Sequence, residues 1–360
     1  MNYKCPCCSA PLRYDGASGQ LACDACGNTF PLEAVEQAEQ VAQATTEQSI
    51  DWDFGQDDAW RPEETQHLKT YSCPSCGAEI VVDDTTAATE CVYCGNASIM
   101  PGTLSGSFRP DAVLPFIKTK EEARKAYLEL IKGKKLLPRA FADRKQLDRI
   151  TGVYVPFWLF QCRADCDLAF RAERTHTRTT GRERVIDTEY YMVHRGGTLD
   201  FDGVPVDGST KFDDTMMESI EPFDYSKMED FNAAYLTGYQ AERYDVDAAK
   251  AQERANERIR VSTVKAFAST VVGYNQVVPQ TANVRMEHGK VMNVMAPVWM
   301  LNTKWNGKNY TFAMNGQTGK LVGDLPVDSG ASRKYGLRMF LGTFAAVIGI
   351  ALVLSYLGVI

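Results

Sequence analysis

Residues 73–94 read CPSCGAEIVVDDTTAATECVYC, and residues 5–26 read CPCCSAPLRYDGASGQLACDAC. Both fit Cys-x2-Cys-x14-Cys-x2-Cys, with Cys5, Cys8, Cys23 and Cys26 in one cassette and Cys73, Cys76, Cys91 and Cys94 in the other. Each cysteine of the second lies 68 positions beyond its counterpart (Cys5 to Cys73), the mark of a duplicated module. A Cys-x2-Cys knuckle puts two sulfurs on one tight turn. Two facing knuckles close a tetrahedral all-sulfur site that suits Zn2+ and leaves no open coordination position. Gly27 and Gly95 follow the last ligands, where the turn favours a residue that tolerates positive φ. The spacing therefore predicts two structural zinc ribbons and two Zn2+ per chain. Each module holds too little apolar material to fold unaided, so the metal supplies much of its folding energy.

Cys7 adds a third thiol to the first knuckle, but it aligns with Ser75 while Cys8 aligns with Cys76. Disulfides would need an oxidising compartment, and Met1-Asn2-Tyr3-Lys4 begins no secretory signal. Iron–sulfur ligation by four cysteines has compatible spacing and stays open beside zinc.

From Met339 to Ile360 the chain reads MFLGTFAAVIGIALVLSYLGVI, without a charge. As a helix this would span roughly 33 Å, against about 30 Å for a hydrocarbon core. Arg333, Lys334 and Arg338 precede it, the flank that stays cytoplasmic under the positive-inside tendency. The expectation is a single-pass protein of the cytoplasmic (inner) membrane, with its N-terminal domains in the cytoplasm. A buried core helix is the competing reading, although a terminal helix that is apolar all round has little domain left to bury it.

The formal net charge is −7, and a four-thiolate zinc site would add about −2 more. Within residues 73–101 lie Glu79, Asp83, Asp84 and Glu90 but no Lys or Arg. That composition argues against a phosphate-backbone binder, which needs a basic face.

Between the cassettes, residues 31–48 are rich in Ala, Glu and Gln, and Pro31 is placed to begin a helix. The acidic stretch 51–60 carries Trp52, Phe54 and Trp60. Those aromatics fit a docking motif, for a basic partner or for the chain's own core, as well as a solvated linker resting on a ribbon. Further on, Thr119 and Glu122 form a capping-box pattern ahead of a helix to about Lys132. Residues 153–170 and 183–201 read as strands, and Asp247 to about Ala268 as a helix. Residues 282–325 read as strands broken at Glu287-His288-Gly289-Lys290, Asn306-Gly307 and Asn315-Gly316. Val153-Tyr154-Val155-Pro156-Phe157-Trp158 matches Val294-Met295-Ala296-Pro297-Val298-Trp299, a second repeat whose tryptophans read as core anchors. The fold class expected is α+β. It divides into zinc ribbon 1 (1–30), an acidic helix and linker (31–70), zinc ribbon 2 (71–102), an α+β core of hairpins and helices (103–330), a basic juxtamembrane segment (331–338) and a transmembrane helix (339–360).

No catalytic motif stands out. His67, His176, His194 and His288 share no helical ligand spacing, and neither a phosphate loop nor a G-x-S-x-G elbow occurs. Cys162 and Cys166, on an extended segment, read as core thiols. Asp213, Asp214, Asp224 and Glu229 are carboxylates that sequence cannot converge in space.

The eight cassette cysteines, Lys132-Gly133 through Pro138-Arg139, Gly152-Val153-Tyr154-Val155-Pro156-Phe157-Trp158, and Tyr310-Thr311-Phe312 through Lys320 carry a resemblance. In this order they resemble the bacterial zinc-ribbon membrane proteins encoded beside SPFH (flotillin-like) and phage-shock-type proteins. Members are frequently labelled as primosomal helicases through their ribbons, a label the missing phosphate loop does not support here. The resemblance implies a non-enzymatic membrane-tethered adaptor that recruits an SPFH-type or phage-shock-type protein partner. A nucleic-acid-associated ribbon protein is the alternative expectation, and a membrane-associated enzyme with its site in the α+β core is the third.

Overall fold

A computed structural model of the chain describes residues 3, 11–16, 19–23, 29–30, 32, 35, 50–54, 60–83, 90–97, 99–102, 109–180, 183–211 and 214–356. The strands are β1 (Leu12–Asp15), β2 (Gln20–Cys23), β3 (Thr29–Phe30), β4 (Trp52–Asp53), β5 (Leu68–Ser72), β6 (Glu79–Asp83), β7 (Met100–Gly102), β8 (Ala112–Val113), β9 (Thr151–Thr180), β10 (Glu183–Asp207), β11 (Glu229–Asp230), β12 (Gln240–Glu242), β13 (Gln276–Trp305), β14 (Lys308–Asn315) and β15 (Leu321–Gly323). The α-helices are α1 (Pro62–Thr65), α2 (Lys120–Ile131), α3 (Arg144–Asp148), α4 (Asp214–Ile220), α5 (Ala248–Ser269) and α6 (Ser329–Tyr356). β1, β2 and β3 form a small sheet of their own; the other twelve strands share one sheet.

The V-x-x-P-x-W repeat builds the centre. β9 and β13 run antiparallel with Val155 facing Ala296 and Pro156 facing Met295, so the two copies lie across a local twofold axis. Their surroundings repeat as well. β12 pairs parallel with Val153 and Tyr154 of β9, and β8 pairs parallel with the equivalent Val294 and Met295 of β13. β10 ends with Asp207 facing Phe157, and β14 ends with Asn315 facing Val298. Trp158 Nε1 donates to the Val246 carbonyl at 2.8 Å, and Trp299 Nε1 to the Lys118 carbonyl at 2.8 Å. The core is thus two β-α-β-β repeats, β8-α2-β9-β10 and β12-α5-β13-β14, with their first strands exchanged. Each proline sits where its long strand changes lateral partner, from β12 to β10 or from β8 to β14. Its missing N–H therefore falls in a gap of the ladder.

Both repeat helices begin where the sequence signals them. The Thr119 capping box starts α2, and the Asp247 side chain accepts from Lys250 N to start α5. Alternation on the outer half of β9 then buries Cys162, Ala164, Cys166, Leu168, Phe170 and Ala172 against α5. Ala248, Ala251, Ala255 and Ile259 form the facing stripe of that helix. Burial pushes both the Cys162 and the Cys166 thiol up to about 11, as suits inert core thiols.

Three expectations are corrected. Glu287–Lys290 is a bulge inside an unbroken β13, not a break between strands. Gly289 there lacks the Cβ that would lie 2.6 Å from the Trp52 ring, and β4 pairs alongside it. The α+β class stands with a single four-cysteine metal cluster among the described residues, not with two ribbon sites. The predicted transmembrane helix is also overturned, because among the described residues no helix is long and apolar enough to cross a membrane. α6 starts at Ser329 and carries Arg333, Lys334 and Arg338 in its first turns. The single-pass topology, the inner-membrane location and the tethered adaptor lose their basis with it.

Candidate metal centre

Two matching turns make the centre. Cys73 N donates to Ala78 O and Gly77 N to Cys73 O; Cys91 N donates to Asn96 O and Gly95 N to Cys91 O. Gly77 and Gly95 close the two turns at φ of +70° and +68°. The knuckles face each other so that Sγ of Cys73 and Cys94 lie 3.6 Å apart, as do those of Cys76 and Cys91. All four ligand atoms fall within 4.8 Å of one another. A disulfide would need about 2.05 Å. The edge of a zinc–sulfur tetrahedron with bonds of about 2.3 Å is roughly 3.8 Å. The arrangement fits one tetrahedral ion.

Cys73 and Cys91 are buried, and Cys76 and Cys94 half-buried. Burial raises the Cys73 thiol, but backbone N–H groups of Cys76 and Ser75 and the neighbouring thiols bring it down to about 7. Burial holds Cys76 and Cys91 above the usual thiol range. Metal binding would therefore displace thiol protons. With four protein ligands around one ion, the site is built to hold structure and offers a substrate no coordination position.

Of the first cassette, Cys23 ends β2, while Cys5, Cys8 and Cys26, with Cys7, lie outside the described residues. The expected two Zn2+ are corrected accordingly. Among the described residues one cluster, able to hold one ion, is found.

The cluster is not a free-standing knob. β6 pairs antiparallel with β12, which joins the ribbon to the central sheet. Tyr93, between the last two ligands, donates its hydroxyl to Glu242 Oε2 at 2.8 Å, and Ser209 Oγ donates to Glu242 Oε1 at 2.6 Å. Arg149 grips Glu90 through two bonds of 2.7 Å, and Arg243 Nη1 donates to Glu79 at 2.7 Å. Asn302 Nδ2 donates to the Val92 carbonyl. The ribbon acids Glu79 and Glu90 thus hold the ribbon onto the core, and Asp83 accepts from Gly238 N. Sequence reasoning missed Glu242, Ser209 and Arg149, since nothing local marks residues that meet only in three dimensions.

No protein-family model matches the chain, and no solved structure matches it. The uncharacterized protein YdjG of Bacillus subtilis (strain 168) is 32% identical over 355 residues, which cover 99% of this chain and 98% of that protein. The chain belongs to the YdjG family.

Other sequence motifs of this YdjG-family chain prove structural. Trp52 is buried edge-on against Phe160 at 4.9 Å and donates Nε1 to Asn256 at 3.2 Å. Trp60 meets Phe231 at 5.6 Å, while Phe54 is exposed. The linker's tryptophans dock on the chain's own core. Asn315 accepts from Gln317 N and Thr318 N and donates to the carbonyls of Ile220 and Pro222, so the N-G-Q-T-G-K turn clamps the segment after α4. His67, His176, His194 and His288 are all exposed. A cavity of about 320 Å³ between β10, α4 and α5 is lined by Asp207, Ser209, Glu218, Glu221 and Arg254. Two of its carboxylates are ion-paired, Glu218 to Arg254 at 2.5 Å and Glu221 to Arg258 at 2.6 Å. Asp214 opens α4, Asp224 caps the turn Tyr225–Lys227, and Glu229 lies exposed on β11; Asp213 is outside the described residues.

Proposed function

We propose that this YdjG-family protein is a non-enzymatic, zinc-stabilised protein-binding module. The observation that carries the reading is the closed four-thiol cluster fused to the core sheet through β6, Tyr93 and Glu242. Zinc suits four thiolates at tetrahedral spacing, and an ion held this way stabilises a surface without taking part in chemistry. The partner class suggested by the resemblance is an SPFH-type or phage-shock-type protein. The net charge of −7 favours a protein partner over a nucleic acid.

The test is affinity capture of a candidate SPFH-type protein by the full chain, with zinc measured on the same sample. Wild type should retain the partner. Cys73→Ser with Cys76→Ser should lose one zinc equivalent per chain and most of the captured partner. Salt-sensitive retention of nucleic acid instead, or turnover of a substrate by the zinc-loaded chain, would overturn the proposal.

A further inference from the structure

Away from the two V-x-x-P-x-W copies, the central sheet continues as a three-stranded arm, β10–β9–β13, packed on α5 and with two lateral edges. The edges differ. Along Gln276–Glu287, β13 carries Pro279, a bulge between Pro279 and Thr281, and buried Val278, Ala282, Val284 and Met286. Proline and bulges keep an edge from accepting another strand. β10 has no proline from Glu183 to Asp202, and its first register shift comes at Asp202/Val204. Among the described residues no strand pairs with its outer edge, whereas the edge of β14, its counterpart in the other repeat, is covered by β15. The exposed large apolar side chains described on the three strands all fall on β10: Ile186 at 59%, Tyr190 at 65%, Tyr191 at 37% and Met192 at 58%. An open edge with such side chains is a template for strand addition.

We infer that this edge is the interface with a second copy of the chain, β10 pairing antiparallel with β10 across a twofold axis at Tyr190. Directly opposed residues in antiparallel strands share a face. In this register Tyr190 meets its own copy, Thr188 meets Met192, and Ile186 lies diagonal to Met192, joining the exposed side chains of one face into a single apolar strip. On the other face Glu189 meets Tyr191, a pair already bonded within one chain at 2.6 Å, and Asp187 lies diagonal to Arg195. No like charges face each other. Shifting the axis to Glu189 would oppose two carboxylates, and shifting it to Tyr191 would leave Ile186 opposite Gly196. The strip is complementary to itself, which selects a second copy as the occupant, and a twofold contact of this kind closes.

The experiment is mass measurement by light scattering on the full chain, in a non-ionic detergent that masks the exposed apolar side chains of α6. A dimer is expected. Tyr190→Lys with Met192→Lys should raise its dissociation constant at least about tenfold and leave the far-UV circular dichroism spectrum unchanged, since both side chains are exposed in the single chain. Tyr190→Cys should crosslink between chains with a short bismaleimide, in yield well above wild type and above Thr198→Cys. A monomer at working concentration, a dimer indifferent to the two lysines, or equal crosslinking at positions 190 and 198 would overturn the inference.

Discussion

Tyr93 and Glu242, 149 positions apart, share a hydrogen bond of 2.8 Å that joins the metal ribbon to the core sheet. Glu242 is buried, and desolvation raises its carboxyl to about 7 although Ser209 and Tyr93 both donate to it. Asp245 pushes the same way and Lys211 opposes it.

The consequence is a pH-dependent stability. A carboxyl raised in the folded state keeps its proton after the unfolded chain has released its own, near 4.5. Stability therefore falls as pH rises from about 4.5 to about 7 and stays lower above, by about 3 kcal/mol for this group. Glu242→Gln should remove that slope. Urea unfolding of both proteins between about pH 5.5 and about pH 8 checks it, and the difference between them cancels any shared loss of metal at low pH. Parallel pH profiles would contradict the assignment.

Removing the ion should loosen more than the ribbon. With the knuckles unconstrained, Tyr93 and the β6–β12 pairing lose their fixed geometry. Chelation, or Cys91→Ser, should cost at least about 3 kcal/mol. Hydrogen exchange should show added exposure at Gln240–Glu242 as well as at residues 73–94. Protection at β12 that survives chelation would mean the core does not depend on the metal.

Trp158 and Trp299 occupy equivalent places, so their substitutions should have equivalent effects. Trp158→Phe and Trp299→Phe each remove one indole donor from a backbone carbonyl and some packing, for about 1–3 kcal/mol each. Thermal unfolding should give values within about 1 kcal/mol of each other. A large disparity would show that the repeat symmetry is geometric and not energetic.

Gly289→Ala places a Cβ 2.6 Å from Trp52 and 2.9 Å from Ile50. The side chains or the bulge must shift, at about 1–3 kcal/mol. The loss should shrink in a Trp52→Ala background, a coupling that a double-mutant cycle reads directly.

Much of this was legible in particular residues. The Cys-x2-Cys spacing located the metal knuckles, since two thiols on one turn are a local property. Thr119 and Asp247 marked the starts of α2 and α5 because capping acts within one turn. The shared V-x-x-P-x-W pattern exposed the repeat. The break expected at residues 287–290 was misplaced, because a His-Gly pair suits a bulge as well as a turn. Only the approach of Trp52, more than 200 positions away, distinguishes the two. The uncharged run from Met339 read as a full span, but the helix begins ten residues earlier, at Ser329, and among the described residues no helix is long and apolar enough to cross a membrane.

Sequence by itself marked Cys73, Cys76, Cys91 and Cys94 as candidate metal ligands, the starts of the two repeat helices, and one short pattern that occurs twice. These depend on residues within a turn or two of each other, or on one pattern written twice. Tertiary structure alone decided that β8 and β12 change places between the halves, that Tyr93 docks on Glu242, and that β10 keeps an open edge beside the protected edge of β13. Those outcomes depend on which distant segments meet. That is set by the burial of the whole sheet, and no local window contains it.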